Sequence, residues 1–211
     1  MLQMAIYKRN QIEDAIARLG GGPSAKPRTE LLTRIKRLLD TDRALEVLPQ
    51  PELSKHAFFS GRSPGKGTEV QFSGYEAFAL LIGLQLLNHS WPQKFVVELM
   101  RRLRPELERV HRKILRLNPA DVLENQGALR ARPGDLPLAM GSSRVFLLIW
   151  SDQGTVENPA PSAEIFEDYR AAFKRSLEKP GRSSTWIELT RPAHLLAEQL
   201  SKTVPRRRGR S

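Results

Sequence analysis

The stretch Tyr75–Asn88 carries apolar side chains on nearly every side of a predicted helix. It follows Ser73-Gly74-Tyr75-Glu76, where a serine hydroxyl and a glutamate carboxylate three residues later form the capping box that opens many helices. A helix that is apolar all round has no face to offer to water, so other elements must surround it. The sequence therefore predicts a mainly helical domain built around this helix.

Two shorter helices are predicted before it. The residues Asn10-Gln11-Ile12-Glu13 form a capping box that opens the first helix, which runs to Leu19 and ends at the glycines 20 to 22. In the second helix the apolar residues fall on one arc at helical period: Leu31, Leu32, Ile35, Leu38 and Leu39. The opposite face is polar and basic: Thr29, Thr33, Lys36, Arg37 and Asp40. This pattern is typical of a helix-turn-helix, although any amphipathic helix with solvated charges shares it.

A basic loop follows the second helix. The β-prone stretches His56–Phe59 and Thr68–Phe72 flank a glycine-rich segment with the cations Arg62 and Lys66 at its tip. We expect a hairpin, or wing, that could reach phosphate or a minor groove. The segment is not a phosphate-binding Walker loop, because its glycines are spaced too closely and Lys66 leads into a predicted strand.

A long helical region comes after the central helix. The turn at His89–Gln93 has Ser90 as a candidate N-cap. Helical periodicity then continues in two parts, Lys94–Arg104 and Glu106–Leu117, because the intervening proline is expected to kink or restart the helix. Such a helix can form a dimer contact or pack within its own molecule.

The remainder of the chain predicts a small α/β unit. Its elements in order are a strand at Arg144–Trp150, a helix at Ser162–Leu177, a strand at Thr185–Leu189 and a helix at Pro192–Leu200. This β-α-β-α order allows parallel strands. The predicted organisation is a domain at 1–118, a linker at 119–140, the α/β unit at 141–200 and a basic tail at 201–211. The fold class is thus mainly α with a small α/β part.

The positive charge lies in the first part of the chain. The protein has 34 Lys and Arg against 23 Asp and Glu, a net charge of +11. Residues 1–118 hold 20 basic and 12 acidic side chains, whereas residues 119–200 hold 9 basic and 11 acidic ones. The tail adds five basic groups, among them Arg206, Arg207 and Arg208, which could contact phosphate or simply keep the end in solution. This distribution predicts a polyanionic partner, nucleic acid ahead of an anionic membrane surface.

Several chemistries are excluded or unsupported. The absence of cysteine excludes disulfides, thiolate metal sites and cysteine nucleophiles. The four histidines have no ligand spacing, and no nucleophile elbow is present, so we expect no catalytic residue, no metal and no cofactor. A nuclease could still assemble distant acids such as Asp152, Glu164 and Glu188. No apolar run approaches membrane-spanning length and no signal peptide is evident, so the expected location is the cytoplasm, in association with the nucleoid.

Over about residues 5–117, the order of helix, turn, helix, basic hairpin and two further helices resembles the MerR-like winged-helix DNA-binding proteins. The segments Val70–Glu76 and His89–Gln93 occupy the places of that family's aromatic element and its Gly-containing turn. The resemblance implies a winged helix-turn-helix fold in which these residues contact DNA: Arg28, Thr33, Arg34 and Arg37 in the major groove, with Lys36 on the same helix, and Arg62 and Lys66 on phosphate. It also implies a homodimer through Glu106–Leu117 on a two-fold symmetric site.

The leading hypothesis is a sequence-specific double-stranded DNA-binding transcriptional regulator of bacterial type. Its α/β unit would serve dimerisation or ligand sensing. An RNA-binding or non-specific nucleoprotein-assembly factor would use the same basic surface without reading bases. An enzyme of nucleic-acid processing and a protein-binding adaptor are further alternatives.

Overall fold

The computed structural model describes residues 5–22, 24–45, 56–60, 70–120, 144–152, 161–178 and 182–205. The chain divides into two compact units, one formed by residues 1–108 and 195–211 and the other by residues 109–194. Within the described residues, none of the helices has the length and apolar character needed to cross a membrane. Most of the predicted linker lies outside the described residues, so the predicted domain limits stay predictions.

The first unit is mainly helical. Its elements are β1 (Ile6–Lys8), α1 (Arg9–Gly21), α2 (Thr29–Ala44), β2 (Gln71–Ser73), α3 (Gly74–Asn88) and α4 (Gln93–Ile114), the last of which continues into the second unit. The two short strands pair antiparallel, with Tyr7 opposite Phe72. Helix α1 ends at Gly22, whose backbone φ of 86° is a conformation that a glycine adopts without strain.

Helix α3 forms the core of this unit, as its sequence predicts. Its capping box is confirmed, because the Glu76 N–H donates to Ser73 Oγ at 3.2 Å and the Ser73 N–H donates to Glu76 Oε2 at 2.7 Å. Nearly all of its side chains are buried. At Gly83 the missing side chain allows close approach, since a Cβ there would lie 3.3 Å from atoms of both Leu38 and Phe58. Helix α2 and the segment 56–60 therefore pack tightly on α3.

The predicted first strand of the hairpin is wrong. None of the residues His56–Phe59 is in a strand, Ala57 and Phe58 form bends, and β2 pairs with β1 instead. The physical reason is that other groups take the backbone of this segment. The Asp42 carboxylate accepts the N–H groups of Ala57 and Phe58, and the Arg104 guanidinium donates to the carbonyl oxygens of His56 and Phe59. With these groups occupied, no ladder forms.

The long helix is also different from the prediction. Helix α4 is continuous through Pro105, which is exposed, so the alternative that the helix restarts at the proline is wrong. A proline removes one helical hydrogen bond, but burial of the flanking apolar line Leu103, Leu107, Val110 and Ile114 keeps the segment helical. The preceding turn places Ser90 at φ 63°, and α4 begins at Gln93, so Ser90 is not the N-cap.

The second unit contains a three-stranded antiparallel sheet. Its elements are β3 (Phe146–Asp152), β4 (Ser162–Phe166), α5 (Tyr169–Leu177), β5 (Arg182–Glu188) and the start of α6 (Thr190–Ser201). The strand order is β4-β3-β5, with Leu148 opposite both Glu164 and Trp186. The predicted β-α-β-α order is therefore wrong, because residues 162–166 form a strand antiparallel to β3 and only the later part of the predicted helix is helical. Overall, the coarse class is confirmed: the protein is mainly helical with a small sheet part.

Helix α5 packs on one face of this sheet through aromatic contacts. The rings of Phe146, Tyr169 and Trp186 lie 5.8 to 6.1 Å apart, centroid to centroid. Just before α5, Glu167 accepts hydrogen bonds from Lys113 and Arg109 at the end of α4. These two cations hold the pKa of the Glu167 carboxyl below its usual value.

Candidate nucleic-acid interface

The candidate interface is the exposed side of α2 and the residue that precedes it. We define the α2 basic surface as Arg28, Thr33, Arg34, Lys36 and Arg37. The opposite side of the helix is fixed in the core by Ile35, Leu38 and Leu39. Because residues four apart share one side of a helix, Thr33 and Arg37 are neighbours at the middle of the exposed side. Lys36 and Arg34 lie on its two flanks.

Three cations of the α2 basic surface are free of acidic partners within the part of the chain that the structure describes. These are Arg28, Lys36 and Arg37, and all three are exposed. The nearby Asp40 pairs instead with Arg43 at 3.0 Å. Exposed cations without an intramolecular partner can contact phosphate without first breaking an ion pair. The geometry of these residues is thus suited to contact with a polyanion.

Arg34 is in a different situation. Its Nη1 donates to Asn88 Oδ1 of α3 at 2.5 Å, and its Nη2 lies 2.7 Å from Glu30 Oε1. The guanidinium is therefore shared between an amide and a carboxylate of the same unit. To contact a base edge, the Arg34 guanidinium would have to break its interactions with both Asn88 and Glu30.

The backbone of α2 is held by the first residue of α4. Gln93 Nε2 donates to the carbonyl oxygen of Arg37 at 3.2 Å and also to the Thr41 hydroxyl. Only the first bond involves Arg37, through its backbone, and the Arg37 side chain is exposed. The contact fixes the position of the exposed side relative to α4.

Near its C-terminal end α2 carries a fully buried carboxylate, Asp42, which sequence reasoning did not single out. It accepts a charge-assisted hydrogen bond from Arg101 Nε at 2.8 Å, and Arg101 also donates to the carbonyl oxygens of Asp42 and Leu45. The same carboxylate accepts the N–H groups of Ala57 and Phe58 at 3.0 and 2.9 Å. Asp42 thus joins α2, α4 and the segment 56–60.

A second buried arginine holds the segment that leads into the basic loop. Arg104 donates to the carbonyl oxygens of His56 and Phe59 and, at 3.1 Å, to Ser60 Oγ. Its guanidinium lies 3.4 Å from the buried Glu76 carboxylate and 2.8 Å from that of Glu108. These bonds fix the segment 56–60 in the first unit.

The remaining predicted contacts lie outside the described residues. These are Arg62 and Lys66 of the predicted wing and Arg206, Arg207 and Arg208 of the tail. They stay predictions. The structure brings together the five residues of the α2 basic surface, since all belong to α2 or its N-cap.

Two of the three acids considered for a nuclease site, Glu164 and Glu188, have other partners. Glu164 pairs with Arg175 at 2.8 Å, and Glu188 accepts the N–H groups of Thr190 and Arg191 at the start of α6. The side chain of Asp152 lies outside the described residues. Among the side chains described, no group of three or more acids and histidines could hold a metal ion.

Two histidines of the second unit are buried close to one another. Burial and the nearby His194 lower the pKa of His111 to about 4, and burial also lowers the pKa of His194. Both rings are about 6% exposed. Each is neutral at physiological pH, which suits a packing role.

Comparison with known proteins adds no family to this description. No family model matches the sequence, and no curated protein matches it either.

Proposed function

We propose that the protein is a sequence-specific double-stranded DNA-binding transcriptional regulator that contacts DNA through the α2 basic surface. The observation that carries this proposal is the arrangement of α2. One side of the helix is fixed in the core, while Arg28, Lys36 and Arg37 extend into solvent without acidic partners within the described residues. A helix presented in this way is the element that enters a major groove in helix-turn-helix proteins.

The distribution of charge along the chain also favours DNA contact by the first unit. The first 118 residues carry 20 basic and 12 acidic side chains, and this excess attracts phosphate. In this proposal Thr33 and Arg37 contact base edges, and Lys36 and Arg28 contact the phosphate backbone of the DNA. Arg62 and Lys66 form the phosphate contacts of a wing. The protein would act in the cytoplasm at the nucleoid, as a homodimer on a two-fold symmetric site.

Selection from random double-stranded DNA at about 150 mM salt tests the proposal, because weak surface electrostatics are screened there. We expect an enriched inverted repeat. Arg37→Ala should then weaken binding to that sequence by about 1–3 kcal/mol, as expected for loss of a base contact. Lys36→Ala should weaken binding to all sequences alike and reduce the salt slope by about one.

The control is Arg102→Ala, which removes an exposed arginine of α4 that is outside the α2 basic surface. It should leave the affinity for the enriched sequence unchanged. Equal losses for Arg37→Ala and Arg102→Ala would refute the role of α2.

The pairing of Arg34 favours a second candidate, a factor that binds RNA or DNA without reading bases. Since Arg34 is held by Asn88 and Glu30, fewer side chains of α2 are available for base edges. This candidate predicts salt-sensitive binding with no enriched sequence, and equal competition by unrelated RNA and DNA.

A further inference from the structure

A groove in the first unit lies beside the α2 basic surface. It has a volume of about 740 Å³ and runs between the C-terminal end of α1, the start of α2 and the end of α3. This volume is within the range of about 300–1,000 Å³ that is typical of small-molecule sites. The groove is therefore of a size for a small organic ligand.

Part of the groove lining is apolar. It includes Leu19 of α1 and Leu31 of α2, which are half-buried, above the buried Leu81 and Leu84 of α3. The backbone of Gly20 also lines the groove, and a Cβ built there would meet no atom within 4 Å. These walls can take the hydrocarbon part of a ligand out of water, which is favourable in proportion to the apolar area buried.

The charged part of the lining is mostly cationic. Lys26, Arg28 and Arg34 contribute three positive charges, against the single carboxylate of Glu30. The Glu30 side chain is 72% exposed, so its pairing with Arg34 is weak and exchangeable. A ligand carboxylate beside the apolar walls would be less hydrated than Glu30, and an arginine binds such a group in bidentate fashion.

We propose that this groove binds a small amphipathic carboxylate, with its hydrocarbon part on the leucines and its carboxylate on Arg34. Charge complementarity selects an anion, and the apolar walls select against a bare phosphate. Arg28 lines the groove beside Arg34 and contacts DNA in the proposed function, so a negative charge bound there would weaken DNA binding. This last consequence depends on the proposed function, whereas ligand binding itself does not.

Titration of the full chain with octanoate tests the proposal. Binding is measured by calorimetry and by shifts of the backbone amide resonances of Gly20 and Gly21. Two further probes separate the contributions: 1-octanol has the hydrocarbon part alone, and inorganic phosphate has the charge alone. We expect saturable octanoate binding at least about tenfold tighter than that of either probe. Equal binding of phosphate, equal binding of octanol, or no saturable binding would each overturn the proposal.

Two variants locate the site. Arg34→Gln removes the charge and Gly20→Leu fills the groove, and each should weaken octanoate binding by about tenfold or more. The matched control is Arg37→Gln, which makes the same substitution as Arg34→Gln on the same helix. The Arg37 side chain does not line the groove, so this variant should keep its affinity for octanoate. If Arg37→Gln and Arg34→Gln have equal effects, the carboxylate binds elsewhere. A chain that binds octanoate but no DNA would refute the proposed function and leave this site intact.

Discussion

Replacing Asp42 by alanine should be among the most destabilising single changes in the first unit. The Asp42 side chain is fully buried, and its carboxylate accepts Arg101 Nε and two backbone N–H groups. In Asp42→Ala the Arg101 guanidinium remains buried without its counter-charge. Breaking a buried pair in this way costs about 3–5 kcal/mol, a large part of the total stability of about 5–15 kcal/mol expected for a domain.

The measurement is the free energy of unfolding from urea titrations followed by far-ultraviolet circular dichroism. The matched control is Asp40→Ala on the same helix. Asp40 also pairs with an arginine, Arg43, but its side chain is 52% exposed, so the loss should stay within about 1 kcal/mol. Asp42→Ala is thus expected to lose at least about 2 kcal/mol more than this control.

A double variant tests the physical reason. In Asp42→Ala with Arg101→Met neither charge is left alone, so the double variant should lose less stability than the sum of the two single variants. A loss below about 1 kcal/mol for Asp42→Ala, or strictly additive losses, would refute the assignment of Asp42 and Arg101 as a coupled buried pair.

Two further predictions concern glycine and histidine. Gly20→Ala should raise the free energy of unfolding by about 0.5–1 kcal/mol, because the added Cβ meets no atom within 4 Å. Gly22→Ala should lower it by about 1–2 kcal/mol, because a residue with a Cβ is strained at the Gly22 φ of 86°. A change of the same sign for both variants in urea titrations would contradict this prediction. The pKa of His111 is about 4 in the folded protein, whereas its ordinary value, expected in the unfolded chain, is 6.5. Stability should therefore fall by about 2 kcal/mol between pH 7 and pH 5, and this fall should shrink in His111→Gln but persist in His89→Gln, whose side chain is exposed. A fall that is unchanged in His111→Gln would show that another group carries it.

The elements that the sequence predicted well are those whose determinants are local. The capping box at Ser73 and Glu76 and the apolar residues that follow it define α3 within sixteen consecutive residues. The apolar arc of α2 likewise predicts which side is buried. In both cases the residues that decide the structure are neighbours along the chain.

The errors come from partners that are distant along the chain. His56–Phe59 has β-prone composition, but its backbone bonds go to Asp42 and Arg104, which no local pattern relates to it. Residues 162–166 become a strand only because β3 offers an edge at the matching register. In the candidate site, Arg34 resembles any other cation of α2 until folding brings Asn88, 54 residues away, to its guanidinium. Tertiary context decides each of these.

The first unit is discontinuous in sequence, and this has a consequence for its synthesis. The Gln11 amide donates to the carbonyl and hydroxyl oxygens of Thr203, across a sequence separation of 192 residues, and both residues are buried. At translation rates of about 5–20 residues per second, Thr203 is added roughly 10–40 s after Gln11. During that interval the N-terminal end of α1 lacks its contact with Thr203. The first unit can therefore complete this contact only after Thr203 has been synthesised, however early the rest of α1 folds.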